Sequence, residues 1–277
     1  MEGFNSLEIN KIEELSRNLA FTAGSYILDN VSKVNKKMYK DGTDGNKEVV
    51  TKIDLDIHKK LLGIINKYYP DHEVLSEEDI NNSNKIDYKK PVWIIDPLDG
   101  TTNFSNGLPI CGSSISFVLN YQTVASALFI PSIEKIDGKC ISWSKDNGIL
   151  IDGMNFLFKE NSNISFVPGY LYSNTKLIKK YKKLNFLSED FRNLGSITYE
   201  GAMVVLGNGK SLLCNNPKIW DVSALIGIFS EHNKSIYITE SGKNNKKWNK
   251  LESMNDIYNN IDKKSYKIGF DIIFINK

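Results

Sequence analysis

The chain has 277 residues, 41% hydrophobic and 25% charged, with a formal net charge of +2; that length supports one large domain or two small ones around a real core. The near-neutral balance supplies no global field for nucleic acid or an acidic partner, and no apolar run approaches the roughly 18 residues that suggest a membrane span. The start has no basic n-region followed by an apolar segment, and the three cysteines, Cys111, Cys140 and Cys214, lack CxxC spacing, so free thiols in a reducing, cytoplasmic compartment are expected.

Residues 7–31 place Ile9, Ile12, Leu15, Leu19, Ala23 and Ile27 at spacings of three and four, which predicts an amphipathic helix. Residues 36–48 are polar, with two Asp-Gly steps, and read as a mobile loop. A second helix is predicted over 54–69, stopped by Pro70. Strands are predicted at 92–95, 113–120, 123–130, 139–143 and 148–151, the middle two as a hairpin. The second half alternates: a strand near 164–172, a Lys-rich helix at 174–184, an apolar helix at 196–207, a strand at 210–214, a helix at 221–231, and strands near 235–239 and 267–275. The first half therefore reads as antiparallel α+β and the second as α/β. A boundary near 155 divides an N-terminal domain, 1–155, from a C-terminal one, 156–277.

The chemistry concentrates in Trp93-Ile94-Ile95-Asp96-Pro97-Leu98-Asp99-Gly100-Thr101-Thr102-Asn103-Phe104. A buried-strand run delivers Asp96 and Asp99, three residues apart, to a strand end. Like charges so placed in a low dielectric need a counter-charge. With oxygen donors and no histidine or cysteine at ligand spacing, a hard divalent cation such as Mg²⁺ fits better than zinc. Gly100-Thr101-Thr102 then opens a short helix whose N–H groups suit an anion such as phosphate. Three other acidic elements sit at element ends: Asp54, Glu77-Glu78 and Asp221. Each has a plain alternative, as a helix cap, a solvated loop or a favourable charge at a helix start.

These motifs resemble the inositol monophosphatase family, part of the magnesium-dependent, lithium-sensitive phosphatase group that includes fructose-1,6-bisphosphatase. The central motif carries most of the likeness. Trp220-Asp221-Val222, Ser76-Glu77-Glu78, Val50-Thr51-Lys52-Ile53-Asp54 and Arg192-Asn193-Leu194-Gly195-Ser196 add to it. The resemblance implies a layered α-β-α-β-α sandwich of α+β class and a phosphomonoesterase using two or three Mg²⁺ per site. Glu77, Asp96 and the Leu98 carbonyl would hold one ion; Asp96, Asp99 and Asp221 would hold a second. Asp99 and the Gly100 and Thr101 amides would hold phosphate, and Thr101, bonded to Asp54, would help Glu77 activate water.

The resemblance departs on the leaving-group side. Seven residues before Asp221, where the inositol phosphatases have a glutamate, stands Cys214, followed by Asn215. A thiol cannot accept polyol hydrogen bonds as a carboxylate does. Arg192, Cys214 and Asn215 are therefore the expected substrate-side residues, and sugar or polyol phosphates rank ahead of adenosine 3′,5′-bisphosphate or histidinol phosphate. A non-catalytic phosphometabolite-binding protein is the rival class. A small phosphate ester is the expected partner, with no membrane and no nucleic acid, since the Lys-rich runs 176–183 and 243–250 lack interleaved aromatics. Homodimerisation, common among relatives, is carried as an expectation.

Overall fold

The computed structural model describes residues 4–33, 37–41, 47–82, 86–132, 137–156, 164–167, 190–231, 234–241 and 247–276. Helix α1 (Ser6–Asn30) starts at a capping box. Glu8 N–H donates to the Asn5 side chain at 3.0 Å, and Asn5 N–H to the Glu8 carboxylate at 2.9 Å. Helix α2 (Lys52–Tyr68) starts the same way, with Thr51 and Asp54 as the pair. Between them the chain forms β1 (Met38–Asp41) and β2 (Lys47–Val50), an antiparallel pair in which Met38 faces Val50. A loop was expected over 36–48. The ladder forms because backbone groups satisfy one another whatever the polarity of the side chains, and polar side chains hide such a hairpin from pattern reading. Residues 42–46 lie outside the described set.

A seven-stranded sheet follows: β3 (Glu73–Ser76), β4 (Val92–Asp99), β5 (Gly112–Leu119), β6 (Gln122–Ile130), β7 (Lys139–Ser144), β8 (Gly148–Ile151) and β9 (Met154–Asn155), side by side in that order. All neighbours are antiparallel except β3 and β4, which run parallel. Both faces are covered. Trp93, Ile95, Phe117 and Phe129 join the core under α1 and α2, while Val92, Ile94, Leu128 and Trp143 join the core on the opposite side. This is why β4 reads as an unbroken apolar run rather than an alternation. Helix α1 lies close on β6. A Cβ at Gly24 would sit 2.5 Å from the Phe129 ring, so that crossing admits no side chain there.

Beyond this sheet come α4 (Ile197–Val205) and α5 (Ile219–Ile228), α3 being the short helix of the site below. A second sheet then packs on them. Its strand order is β11 (Asp190–Arg192), β10 (Ile164–Phe166), β12 (Ser211–Cys214), β15 (Phe270–Asn276), β13 (Lys234–Glu240) and β14 (Asn249–Lys250). The sheet is mixed: β10 pairs parallel with β11 and β12, whereas β15 runs antiparallel to β12 and β13. Helix α5 is apolar all round because it lies between two sheets, and only Asp221 in it is less than buried. One continuous core joins Ile94, Trp143, Leu225, Leu212 and Phe274 across both sheets. The described layers are thus helix, sheet, helix, sheet, a mixed α+β fold. The Lys-rich helix at 174–184 lies outside the described residues, as do 176–183 and much of 243–250. Among the described residues no helix is long and apolar enough to cross a membrane.

Candidate metal and phosphate site

The parallel pairing of β3 and β4 builds the site. Ser76 lies opposite Ile95, so Glu77, the first residue past β3, stands beside Asp96 of β4. Glu77 opens a 3₁₀ turn, Glu77–Asn82. Asp96 stands at an irregularity in β4, where the register to β5 shifts between Asp96 and Asp99. Pro97, which has no N–H to give a ladder, sits in that irregularity. Asp221 arrives from the first turn of α5, where it also accepts the Lys218 N–H at 2.9 Å. Carboxylate oxygens of Glu77, Asp96 and Asp221 lie within 4.8 Å of one another.

Asp99, the last residue of β4, is held by a different partner. One of its oxygens accepts the Ser196 hydroxyl at 2.8 Å and the Thr198 N–H at 2.5 Å. Next to it Gly100 has φ +82°, and a Cβ there would meet the Ile110 carbonyl at 2.9 Å, so this turn requires glycine. It caps α3 (Thr101–Ser105). The Thr101 hydroxyl lies 2.9 Å from Asp54 Oδ1 and 3.0 Å from the Leu98 carbonyl. The second Asp54 oxygen accepts the Thr51 N–H at 2.8 Å and the Thr51 hydroxyl at 2.5 Å. Asp54 is therefore both a helix-capping acid and the hydrogen-bond partner of the Thr101 hydroxyl.

The electrostatics are those of a cation site. Asp96 is 1% exposed. Burial first, then Glu77, Asp99 and Asp221, pushes its carboxyl well above the usual range. Burial, then Glu77 and Asp99, does the same to Asp221, and burial raises Asp99 and Asp54. Two carboxylates at such separations repel by on the order of 3 kcal/mol even at an effective dielectric of about 20. Protons or a cation must relieve that repulsion. The donor set is all oxygen, and among the described residues no histidine or cysteine joins the cluster, which fits Mg²⁺ better than a softer ion. Lys40 of β1 reaches the rim, 2.7 Å from Glu78 and 3.3 Å from Glu77. Burial opposes its charge, but the two glutamates outweigh burial and raise its pKa. Glu78 thus faces the lysine and Glu77 the aspartates. Burial raises Glu78 to about 7.

The substrate-side residues are placed less uniformly. Arg192 is exposed, its guanidinium donating to the Phe191 carbonyl at 2.8 Å. Asn215 is exposed, whereas Cys214 is 1% exposed within the core. Burial first, then Glu200, Asp221 and Asp99, pushes the Cys214 thiol up, so it is a neutral neighbour of the acids. Sequence reading missed Ser196 and Thr198 as the clamp on Asp99. Ser196 lies inside the Arg192–Ser196 motif, which was the available signal. It also missed Glu200, whose carboxylate accepts the Leu194 and Gly195 N–H groups, and Asn103, which donates to the Leu194 carbonyl at 2.7 Å. His58 packs behind the site, its Nδ1 2.9 Å from the Ser76 hydroxyl.

Layered sheets with a carboxylate cluster at the end of β4, beside a glycine-started helix, define a class of cation-dependent hydrolase fold. Comparison with known proteins agrees. The model of the inositol monophosphatase family matches residues 8–259. A fructose-1,6-bisphosphatase/inositol-1-monophosphatase of Aquifex aeolicus is 28% identical over 80% of this chain and 84% of its own length. The inositol monophosphatase of Dictyostelium discoideum is 25% identical over 79% and 78%. The extragenic suppressor protein suhB of Bartonella henselae shares the fold, with a TM-score of 0.72 at 21% identity over 96% of this chain and 94% of that one. The chain belongs to the inositol monophosphatase family, a family of phosphoric monoester hydrolases.

Proposed function

We propose that the protein hydrolyses a small phosphate monoester, a sugar or polyol phosphate, with Mg²⁺ bound among its acids. The supporting observation is the convergence of Glu77, Asp96 and Asp221 within 4.8 Å beside the Asp54–Thr101 pair. Glu77, Asp96 and the Leu98 carbonyl are assigned to one ion and Asp96, Asp99 and Asp221 to a second. Such ions, when bound, supply an acidified water and charge stabilisation for in-line displacement.

The chain's own residues do the rest. The Gly100 and Thr101 N–H groups, at the start of α3, receive the phosphate oxygens. Glu77 takes a proton from the attacking water. The Thr101 hydroxyl keeps its proton, donating it as a hydrogen bond to Asp54 Oδ1 or the Leu98 carbonyl, both within 3.0 Å, so its oxygen lone pair is free to orient that water. Ser196 and Thr198 hold one oxygen of Asp99, so its carboxylate is fixed in place at the end of β4. Arg192 and Asn215, both exposed, are assigned to the side that meets the rest of the ester, whereas Cys214, expected there too, is buried in the core. The absence of a carboxylate at position 214 favours sugar and polyol phosphates broadly over a site built for inositol alone, and the Aquifex relative's double name is in keeping with that breadth. A cytoplasmic location and a homodimer belong to the same reading.

The test is phosphate release from a panel of sugar, polyol, inositol and nucleotide monoesters with Mg²⁺ and again with EDTA. Turnover that requires Mg²⁺ and is highest on sugar or polyol esters is expected. No turnover on the whole panel refutes the enzymatic reading in favour of a phosphometabolite-binding protein.

A further inference from the structure

A second cavity, of about 770 Å³, shares no residue with the acid cluster. Four tyrosines line it: Tyr88 before β4, Tyr121 in the β5–β6 turn, and Tyr258 and Tyr266 near α6 (Asn255–Tyr258). Lys89 and Lys263, both exposed, complete its rim. The volume lies in the range of small-molecule sites. Tyr88 and Tyr258 are fixed: they are 8% and 3% exposed, their rings are 5.2 Å apart, and the Tyr258 hydroxyl is 2.6 Å from that of Thr123.

The other two tyrosines are held against their backbone preference. Asn120 and Tyr121 have φ of +50° and +60°, and Tyr266 has φ +56°. The two-residue turn between β5 and β6 normally takes glycine at the second position. A bulky aromatic residue in the left-handed region is an outlier, and such strain persists where the surroundings over-determine it, often at ligand sites. Tyr121 is pinned by donating its N–H to the Tyr88 carbonyl at 2.9 Å. Tyr266 is pinned by donating to the Asp262 carbonyl at 2.8 Å and by accepting from Ile219 N–H at 2.9 Å. Two of the five non-glycine residues with positive φ among the described residues thus line one cavity. Both side chains also pack against the core, Tyr266 with its ring 5.4 Å from that of Trp220.

The rim sets the ligand's charge. Asp87 also lines the cavity and accepts the Lys89 backbone N–H at 3.1 Å, so two ammonium groups stand against one carboxylate at the mouth. Among the described residues neither Lys89 nor Lys263 forms an ion pair. Aromatic walls with free ammonium groups at the mouth select a flat ring that carries an anion.

We infer that this cavity is a binding site for a planar aromatic ring bearing a negatively charged group, separate from the acid cluster. It adjoins α5, because the Tyr266 ring lies 5.4 Å from that of Trp220. The inference stands whether or not the protein hydrolyses phosphate esters.

The test is calorimetric titration of the full chain with naphthalene-1-sulfonate, in EDTA so that no cation draws the sulfonate to the acid cluster. Cyclohexanesulfonate, which keeps the charge without the flat ring, and 1-naphthol, which keeps the ring without the charge, serve as controls. One saturable site is expected, with each control weaker by about tenfold or more. Tyr121→Gly and Lys263→Glu should each weaken it by about tenfold. Absence of saturable binding, equal affinity for cyclohexanesulfonate, or affinity untouched by both variants overturns the assignment.

Discussion

Replacing Glu200 by glutamine should remove a pH dependence that this one carboxyl imposes on stability. Glu200 is fully buried in α4. One oxygen accepts the Leu194 and Gly195 N–H groups, and the other has no hydrogen-bond partner among the described residues. Burial outweighs the two amides and pushes its pKa to about 8, against about 4.3 in an unfolded chain. The sign follows from linkage. A folded pKa above the unfolded one gives stability that is complete below about pH 4.3 and is lost as pH rises through about 8. At about 1.4 kcal/mol per pKa unit the loss is on the order of 5 kcal/mol at most, and relaxation around the charge lowers it. Glutamine keeps the accepting oxygen but buries an amide NH₂ without a partner, at about 1–3 kcal/mol independent of pH. Urea unfolding of both proteins in EDTA, at pH 5 and pH 9, reads the difference. The glutamine variant should be the less stable at pH 5 and should match or exceed the parent at pH 9. An equal gap at both pH values would show that Glu200 does not hold its proton in the fold.

Asp96→Asn keeps the oxygen that accepts the Leu98 N–H and removes one charge from the crowded cluster. Unfolding temperature without metal should rise at neutral pH, while Mg²⁺-induced stabilisation and phosphatase turnover fall by at least about a hundredfold; a variant still stabilised by Mg²⁺ contradicts the ligand assignment. Thr101→Val leaves Asp54 Oδ1 and the Leu98 carbonyl without the hydroxyl between them. Stability should drop by about 1–3 kcal/mol, and turnover should fall more than substrate affinity, so normal kcat on the preferred ester refutes the role given to that hydroxyl. Cys214→Glu places a further carboxylate beside Glu200 and Asp221 in a fully buried position. It should lower the metal-free unfolding temperature at pH 8 far more than at pH 5, and an equal effect at the two pH values would mean that the new side chain reaches solvent.

Much of the fold was legible because its elements follow local rules. Helix α1 shows its 3.6-residue period, Pro70 stands just past α2, and β5–β6 shows a two-residue turn between apolar runs. Where local rules were silent, the reading failed. The polar β1–β2 pair passed for a loop. The parallel β3 was not predicted at all, since Val74-Leu75 is a lone apolar pair between polar neighbours and nothing local reveals its partner. At the site, Asp96, Asp99, Gly100 and Thr101 were found together because they lie in one stretch. Ser196, Thr198 and Glu200 escaped because their importance depends on facing residue 99 from almost a hundred positions away.

The sequence alone settled which residue types are available, in what local geometry, and hence the kind of chemistry: hard acidic ligands at element ends and a glycine turn before a helix. Tertiary structure decided which acids meet. Glu77 and Asp96 are neighbours only through the parallel register of β3 and β4, and Asp221 joins them only because α5 is held between two sheets. Local propensity acts over a few residues, whereas carboxylates 4.8 Å apart and drawn from positions 77, 96 and 221 are brought together by the packing of the whole core.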